Sequence, residues 1–222
     1  MAELAAPRPA APQLAIPAVA VPAAGRVAES DGRRLRREQN REAVIDALLG
    51  LFSAGQCQPS SAEIAAAAGL SPRSLFRYFD DVEDLYHAAA DRHHRAALPL
   101  FQLSVGPQDH VADKIQAVAH SRVLAYERVA PTARAVRAGA SRNELLAEGL
   151  ARVRTVLRRQ LSELFAPELA GRSEFVLPAV EVLCSFSSYD RLRSESGLSA
   201  EAVTATLVAA LTALLDGDPD VS

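Results

Sequence analysis

The residues best equipped for recognition chemistry lie between Ser60 and Tyr78. Arg73 and Arg77 stand four positions apart and would share one face of a helix. A guanidinium can clamp O6 and N7 of guanine with two parallel hydrogen bonds. Ser60, Ser71, Ser74 and Tyr78 add hydroxyls suited to bases or phosphate oxygens. Leu75, Phe76 and Phe79 alternate with them and are expected to pin the segment to a small core. A second basic cluster, Arg33, Arg34, Arg36, Arg37 and Arg41, reads as an arm preceding the first helix. With Arg26 it places six arginines in residues 26–41 against Glu29, Asp31 and Glu38, a local surplus of three positive charges. Such an arm can follow phosphates or enter a minor groove; the alternative is a solvated helix start. The net charge of −3 means that any nucleic-acid binding must rest on this local clustering.

These side chains need rigid elements beneath them. Val44, Ala47, Leu48, Leu51 and Phe52 recur at helical spacing, and Gly55 closes that first helix. Ser60 with Glu63 forms a capping box opening a second, which Gly69 ends after about two turns. Ser71-Pro72 caps a third helix expected to stop near Phe79. Asp80-Asp81-Val82-Glu83 opens a fourth, running to about Pro99. Two short helices joined by a tight glycine turn, from Ser60 to Phe79, read as a helix-turn-helix, whose second helix enters the major groove. Beyond the break at Ser104-Val105-Gly106-Pro107, helices are expected at about 109–129, 131–138, 142–165, 174–191 and 199–215. No alternation of period two competes anywhere.

The run Ile64-Ala65-Ala66-Ala67-Ala68-Gly69-Leu70-Ser71-Pro72-Arg73-Ser74-Leu75-Phe76-Arg77-Tyr78-Phe79 resembles the helix-turn-helix of TetR-type transcriptional regulators. Val44 to Phe52 with Gly55 resembles their first helix, and Glu83 with Leu85 the start of their fourth. The likeness covers about 60 residues. It implies an all-α chain, with a three-helix DNA-binding domain joined by helix four to a helical bundle for ligand binding and dimerisation. The implied divisions are an Ala/Pro-rich arm at 1–29, a DNA-binding domain at 30–80 and a ligand-binding and dimerisation domain at 81–222. Its implied partners are double-stranded operator DNA, a small-molecule effector and a second copy bound through the last two helices. Relatives often carry Tyr at the position of Phe76, His at that of Tyr78 and Lys at that of Val82. Phe76 offers a phosphate no hydroxyl, and Val82 offers no cation. Arg73 is a candidate specificity determinant.

In the C-terminal half, Val203, Leu207, Ala210, Leu211 and Leu214 form one apolar stripe, and Phe175, Ala179, Val182, Leu183 and Phe186 another. By resemblance these meet their copies across a twofold axis; packing within one chain is the rival reading. The resemblance also puts an effector cavity among helices four to eight, with Phe101, His120, Leu124, Tyr126, Arg137, Cys184, Phe186 and Tyr189 as candidate lining residues, each of which also suits a purely structural role.

Other classes find no footing. No nucleophile elbow, phosphate-binding loop, dinucleotide fingerprint or His-Glu-x-x-His motif is present, so no enzyme and no cofactor is expected. His93 and His94 are adjacent and would point about 100° apart on a helix, a poor metal pair. Cys57 and Cys184, far apart and the only cysteines, suggest buried side chains rather than a disulfide framework. Five prolines interrupt the apolar stretches of residues 1–25, which argues against a signal peptide. With no apolar run long enough to span a bilayer, a cytoplasmic location is expected.

Overall fold

The computed structural model describes residues 31–215, so the Ala/Pro-rich arm lies outside the described residues. The helices are α1 Asp31–Ser53, α2 Ser61–Ala67, α3 Pro72–Leu75, α4 Val82–Ala97, α5 Val111–Ala140, α6 Glu144–Leu164, α7 Ala166–Leu169, α8 Val176–Leu183, α9 Phe186–Ser194 and α10 Ala200–Leu215. A 3-10 turn covers Leu98–Phe101. Among the described residues there is no strand, and no helix is long and apolar enough to cross a membrane. The chain is all-α, as the sequence predicts. These residues form two compact units, 31–100 with 125–157 and 101–124 with 158–215.

The first unit is built on the stripe predicted for α1. Val44, Ile45, Leu48 and Phe52 are buried with Ile64, Ala65, Leu75, Phe79, Leu85, Tyr86 and Ala89, and Ala135 and Leu146 join them. Burial of each large side chain contributes on the order of 1.5–3 kcal/mol. The Phe52 and Tyr86 rings meet edge to face with centroids 5.7 Å apart. Arg92 of α4 ties to Glu42 and Asp46 of α1. α1 begins well before its stripe: residues 33–41 are helical, so the predicted basic arm is the first turns of α1 itself. Arg, Glu and Gln are strong helix formers, and no proline or glycine interrupts the run after Gly32. α5 also runs through Pro131, where a break is predicted. The proline forfeits a single backbone bond. Buried Ala130, Thr132 and Ala135 hold the helix on either side, with the Thr132 hydroxyl 2.9 Å from that of Ser53.

The second unit buries Leu103, Ile115, Val118, Leu161, Leu164, Phe165, Val180, Cys184, Leu211 and Leu215. Lys114, fully buried, donates to Pro107 O at 2.9 Å and to both Glu168 oxygens at 2.5 and 2.7 Å. The Arg172 guanidinium donates to Leu214 O and Leu215 O, satisfying carbonyls at the negative end of α10. The single helix predicted over 174–191 is two. Ser185 ends the continuity by capping α9, its hydroxyl accepting from Ser188 N at 3.2 Å. Of the stripe predicted on α10, Val203, Leu207 and Leu211 are buried within this chain, while Ala210 and Leu214 are half-buried.

Candidate nucleic-acid interface

Local chemistry sets the geometry of the helix-turn-helix. At α2 the Ser60 hydroxyl accepts from Glu63 N, and Glu63 Oε2 accepts from Ser60 N at 2.8 Å and from Ser60 Oγ at 2.6 Å. Hydrogen bonds from Ser60 hold the Glu63 carboxyl below its ordinary pKa. The hydroxyl of Ser60, a predicted DNA contact, is thus already engaged within the cap. α2 ends at Gly69, whose φ of +69° lies where an L side chain is strained. Gly69 N donates to Ala66 O and Leu70 N to Ala65 O, the paired bonds of a Schellman turn. That turn redirects the chain into Ser71, whose hydroxyl caps α3 by accepting from Ser74 N at 3.2 Å.

The recognition segment is shorter as an α-helix than predicted. α3 is one turn, and Arg77 N and Tyr78 N then donate three residues back, to Ser74 O and Leu75 O. Such a tightened turn carries the segment on to Phe79. Leu75 and Phe79 anchor it from below. Phe76 does not: its ring is 47% exposed, against the expectation of a core role. Arg73 and Arg77 are both exposed, beside Ser71 and the half-buried Ser74.

The N-terminal turns of α1 meet the end of this segment. Asn40 Nδ2 donates to the Tyr78 hydroxyl at 2.8 Å, leaving the phenolic proton free to donate elsewhere. Arg37 Nη2 reaches Arg77 O at 3.5 Å, and the Arg41 guanidinium lies 4.8 Å from the centroid of the Phe79 ring. Arg34, Arg36 and Arg37 are exposed; the side chain of Arg33 lies outside the described residues. The two basic clusters are therefore brought together, and Asn40 is the positioning residue that the sequence reading missed. Its signal was there: Arg37, Asn40 and Arg41 precede Val44 by seven, four and three residues, continuing the inward stripe.

The predicted effector residues fall in both units. Phe101, Cys184, Phe186 and Tyr189 are buried in the second unit, where the Phe186 and Tyr189 rings lie 5.8 Å apart. Burial pushes the Cys184 thiol up to about 11, although Arg122 works in the opposite direction. His120 is exposed beside an open groove of about 440 Å3, lined also by Gln116, Glu201, Thr204, Ala205, Val208 and Ala209. Leu124 is exposed. Tyr126, buried, and Arg137, exposed, belong to the first unit. Arg122 and Gln160, both buried in the second unit, were missed. Arg122 occupies an apolar position of the stripe Ile115, Val118, Ala119, where a charge is out of pattern. Among the described residues no group of three His, Cys, Asp or Glu could hold a metal ion.

Residues 44–89 match the family described as bacterial regulatory proteins, tetR family. A comparison with curated proteins finds no match. A protein from Rhodococcus sp. described as a TetR-family transcriptional regulator has a similar structure, with a TM-score of 0.62 and 19% identity over 80% of this chain and 99% of its own. A TetR-family regulator from Streptomyces coelicolor gives a TM-score of 0.62 at 22% identity, over 80% of each chain. One from Marinobacter aquaeolei VT8 gives 0.56 at 23%, over 80% of this chain and 97% of its own. These likenesses show the fold, and the match over residues 44–89 shows that the chain carries the N-terminal domain of the tetR family of bacterial regulatory proteins.

Proposed function

We propose that this chain is a ligand-responsive repressor: a cytoplasmic homodimer that holds a palindromic operator through two copies of the Ser71–Phe79 segment and releases it when a small molecule enters the second unit. The observation that carries the DNA-binding half is the exposure of Arg73 and Arg77 on a segment capped by Ser71, pinned by Leu75 and Phe79, and flanked by the basic turns of α1. In this reading Arg73 and Arg77 read base edges, while Arg34, Arg36, Arg37 and the Tyr78 proton serve phosphates. The exposed Phe76 ring suits apolar contact with a thymine methyl.

Dimerisation is assigned to the outer faces of α8 and α10. Phe175 and Val182 are 74% and 63% exposed, and Ala205, Ala209 and Thr212 form an exposed stripe of small side chains. Large exposed apolar side chains close together mark an interaction surface. The effector acts by binding one of two arrangements of the dimer better than the other, and shifts operator occupancy only by that difference in affinity.

The experiment is selection of bound sequences from a random duplex pool by refolded, effector-free protein. Recovery of a palindrome with half-sites about one turn apart, roughly 34–36 Å, is the expected result. Enrichment of nothing above background would overturn the reading.

A further inference from the structure

The second unit contains two fully buried cations, and they are treated in opposite ways. Lys114 meets a carboxylate and two backbone carbonyls. Arg122 meets no carboxylate: Nη2 donates to Gln160 Oε1 at 2.9 Å, while Nε and Nη1, both buried, have no acceptor among the described residues. Those two nitrogens carry three N–H donors between them. Arginine does not escape such a position by losing its proton. Nor does a neighbour supply negative charge, because the nearby Cys184 thiol is held neutral by burial.

What surrounds Arg122 orients it without neutralising it. Gln160 Nε2 donates to Phe101 O at 2.8 Å, which fixes the amide and hence the oxygen it offers to Nη2. The Phe101 ring lies 5.2 Å from the guanidinium carbon, a cation–π contact that holds the group from another direction. Val118, one turn earlier on α5, belongs with Leu161 and Cys184 to the apolar core of this unit, and Cys184 lies close enough to feel the Arg122 charge. A rigid, charged, uncompensated fork in apolar surroundings has the form of an anion receptor.

We infer that Arg122 is the counter-ion for the carboxylate of an organic monoanion with an apolar body, and that this class of molecule is the effector. The identification as effector rests on the repressor reading above; the anion site does not. One unpaired positive charge matches one negative charge, which favours a monocarboxylate over a phosphate dianion. The carboxylate accepts from one of the two unsatisfied nitrogens, Nε or Nη1, which point in different directions in the guanidinium plane. Phe101 holds the guanidinium in place, and the apolar body faces the aliphatic side chains of this unit's core.

The test is calorimetric titration of the full chain, without DNA, using decanoate and, as neutral control, decanol. Decanoate should bind about ten- to a hundredfold more tightly than decanol, the worth of a charge-assisted hydrogen bond. Arg122→Met should bring that ratio close to one while keeping helicity and melting temperature, since an apolar side chain replaces an unpaired charge. A wild-type ratio near one overturns the anion site whether or not the variant folds. So does a variant that keeps the preference for decanoate. Gel shift on the selected operator then separates the two claims: decanoate that binds through Arg122 without releasing DNA removes the effector role and leaves the anion site standing.

Discussion

Arg77 holds two positions at once. Its backbone carbonyl accepts from Arg37, and its guanidinium is exposed on the recognition segment beside Arg73. Arg73→Ala or Arg77→Ala should therefore weaken operator binding by about 1–3 kcal/mol and relax base preference at one position. Arg37→Ala should weaken binding to all sequences and reduce the salt slope by about one unit. Gel-shift titrations across a salt series distinguish the two; wild-type affinity in both recognition variants would put the reading face elsewhere. A different residue-scale effect attends His93 and His94 in the first unit. Burial lowers the pKa of both; His94 lowers His93 further, and Arg152 lowers His94 against an opposing pull from Asp91. Because the folded pKa lies below the ordinary 6.5, the unfolded chain takes up protons first as pH falls. The stability these histidines contribute is therefore complete above about pH 6.5 and is lost as pH falls through the folded-state pKa. Melting temperature should be flat above neutrality and drop in acid, and His93→Gln should make the acid limb shallower. An identical pH profile in that variant would assign the acid sensitivity to other groups.

Among the elements, those marked by local chemistry were legible in the sequence. Ser60, Ser71 and Asp81 each accept the expected bond from the third residue on, because a cap depends on atoms within one turn. What failed were boundaries decided by tertiary support. Pro131 is a breaker by local rules, yet Thr132 and Ala135 are buried against the first unit's core and α5 continues. Ser185 is the exception: it is a local cap, accepting from Ser188 N, that the continuous apolar spacing of 174–191 hid. Arg122 shows the same limit at the candidate site: its place in an apolar stripe was visible, while the lack of a countercharge needed coordinates. Two helical glycines carry this contrast into a prediction. A Cβ on Gly149 of α6 would sit 3.6 Å from the His94 ring, an ordinary contact. Gly149→Ala should gain about 0.5–1 kcal/mol of helix stability, up to about 2–4 °C in melting temperature. A Cβ on Gly139 of α5 would sit 2.9 Å from Leu146 Cδ1 and 3.0 Å from the Cys57 carbonyl oxygen, and backbone cannot step aside cheaply. Gly139→Ala should cost about 1–3 kcal/mol through overpacking. Thermal melts of the two variants should move in opposite directions; a gain in both would mean that helix propensity alone governs the two sites, and a loss in both that Gly149 is as closely packed as Gly139.

For the whole molecule, a stripe at helical spacing announces that a face is buried but not by what. Val203, Leu207 and Leu211 read as readily for a dimer seam as for a core, and the structure assigns them to the core of their own chain. The faces left over are the ones on which the proposed dimer depends. Changing Phe175 and Val182 together to Asp sets two charges on a surface already exposed, so the monomer should keep its helicity and melt within about 0.5 kcal/mol of its own baseline. In an interface the same charges would be desolvated without partners, which is strongly unfavourable. Sedimentation should then show a monomer, and operator affinity should collapse, because one recognition segment reaches only one half-site. Leu207→Asp provides the contrast: it buries a charge in the second unit's core and should unfold the chain before changing its assembly. A Phe175→Asp, Val182→Asp protein that still sediments as a dimer and binds the palindrome normally would place the twofold axis on some other face of the second unit.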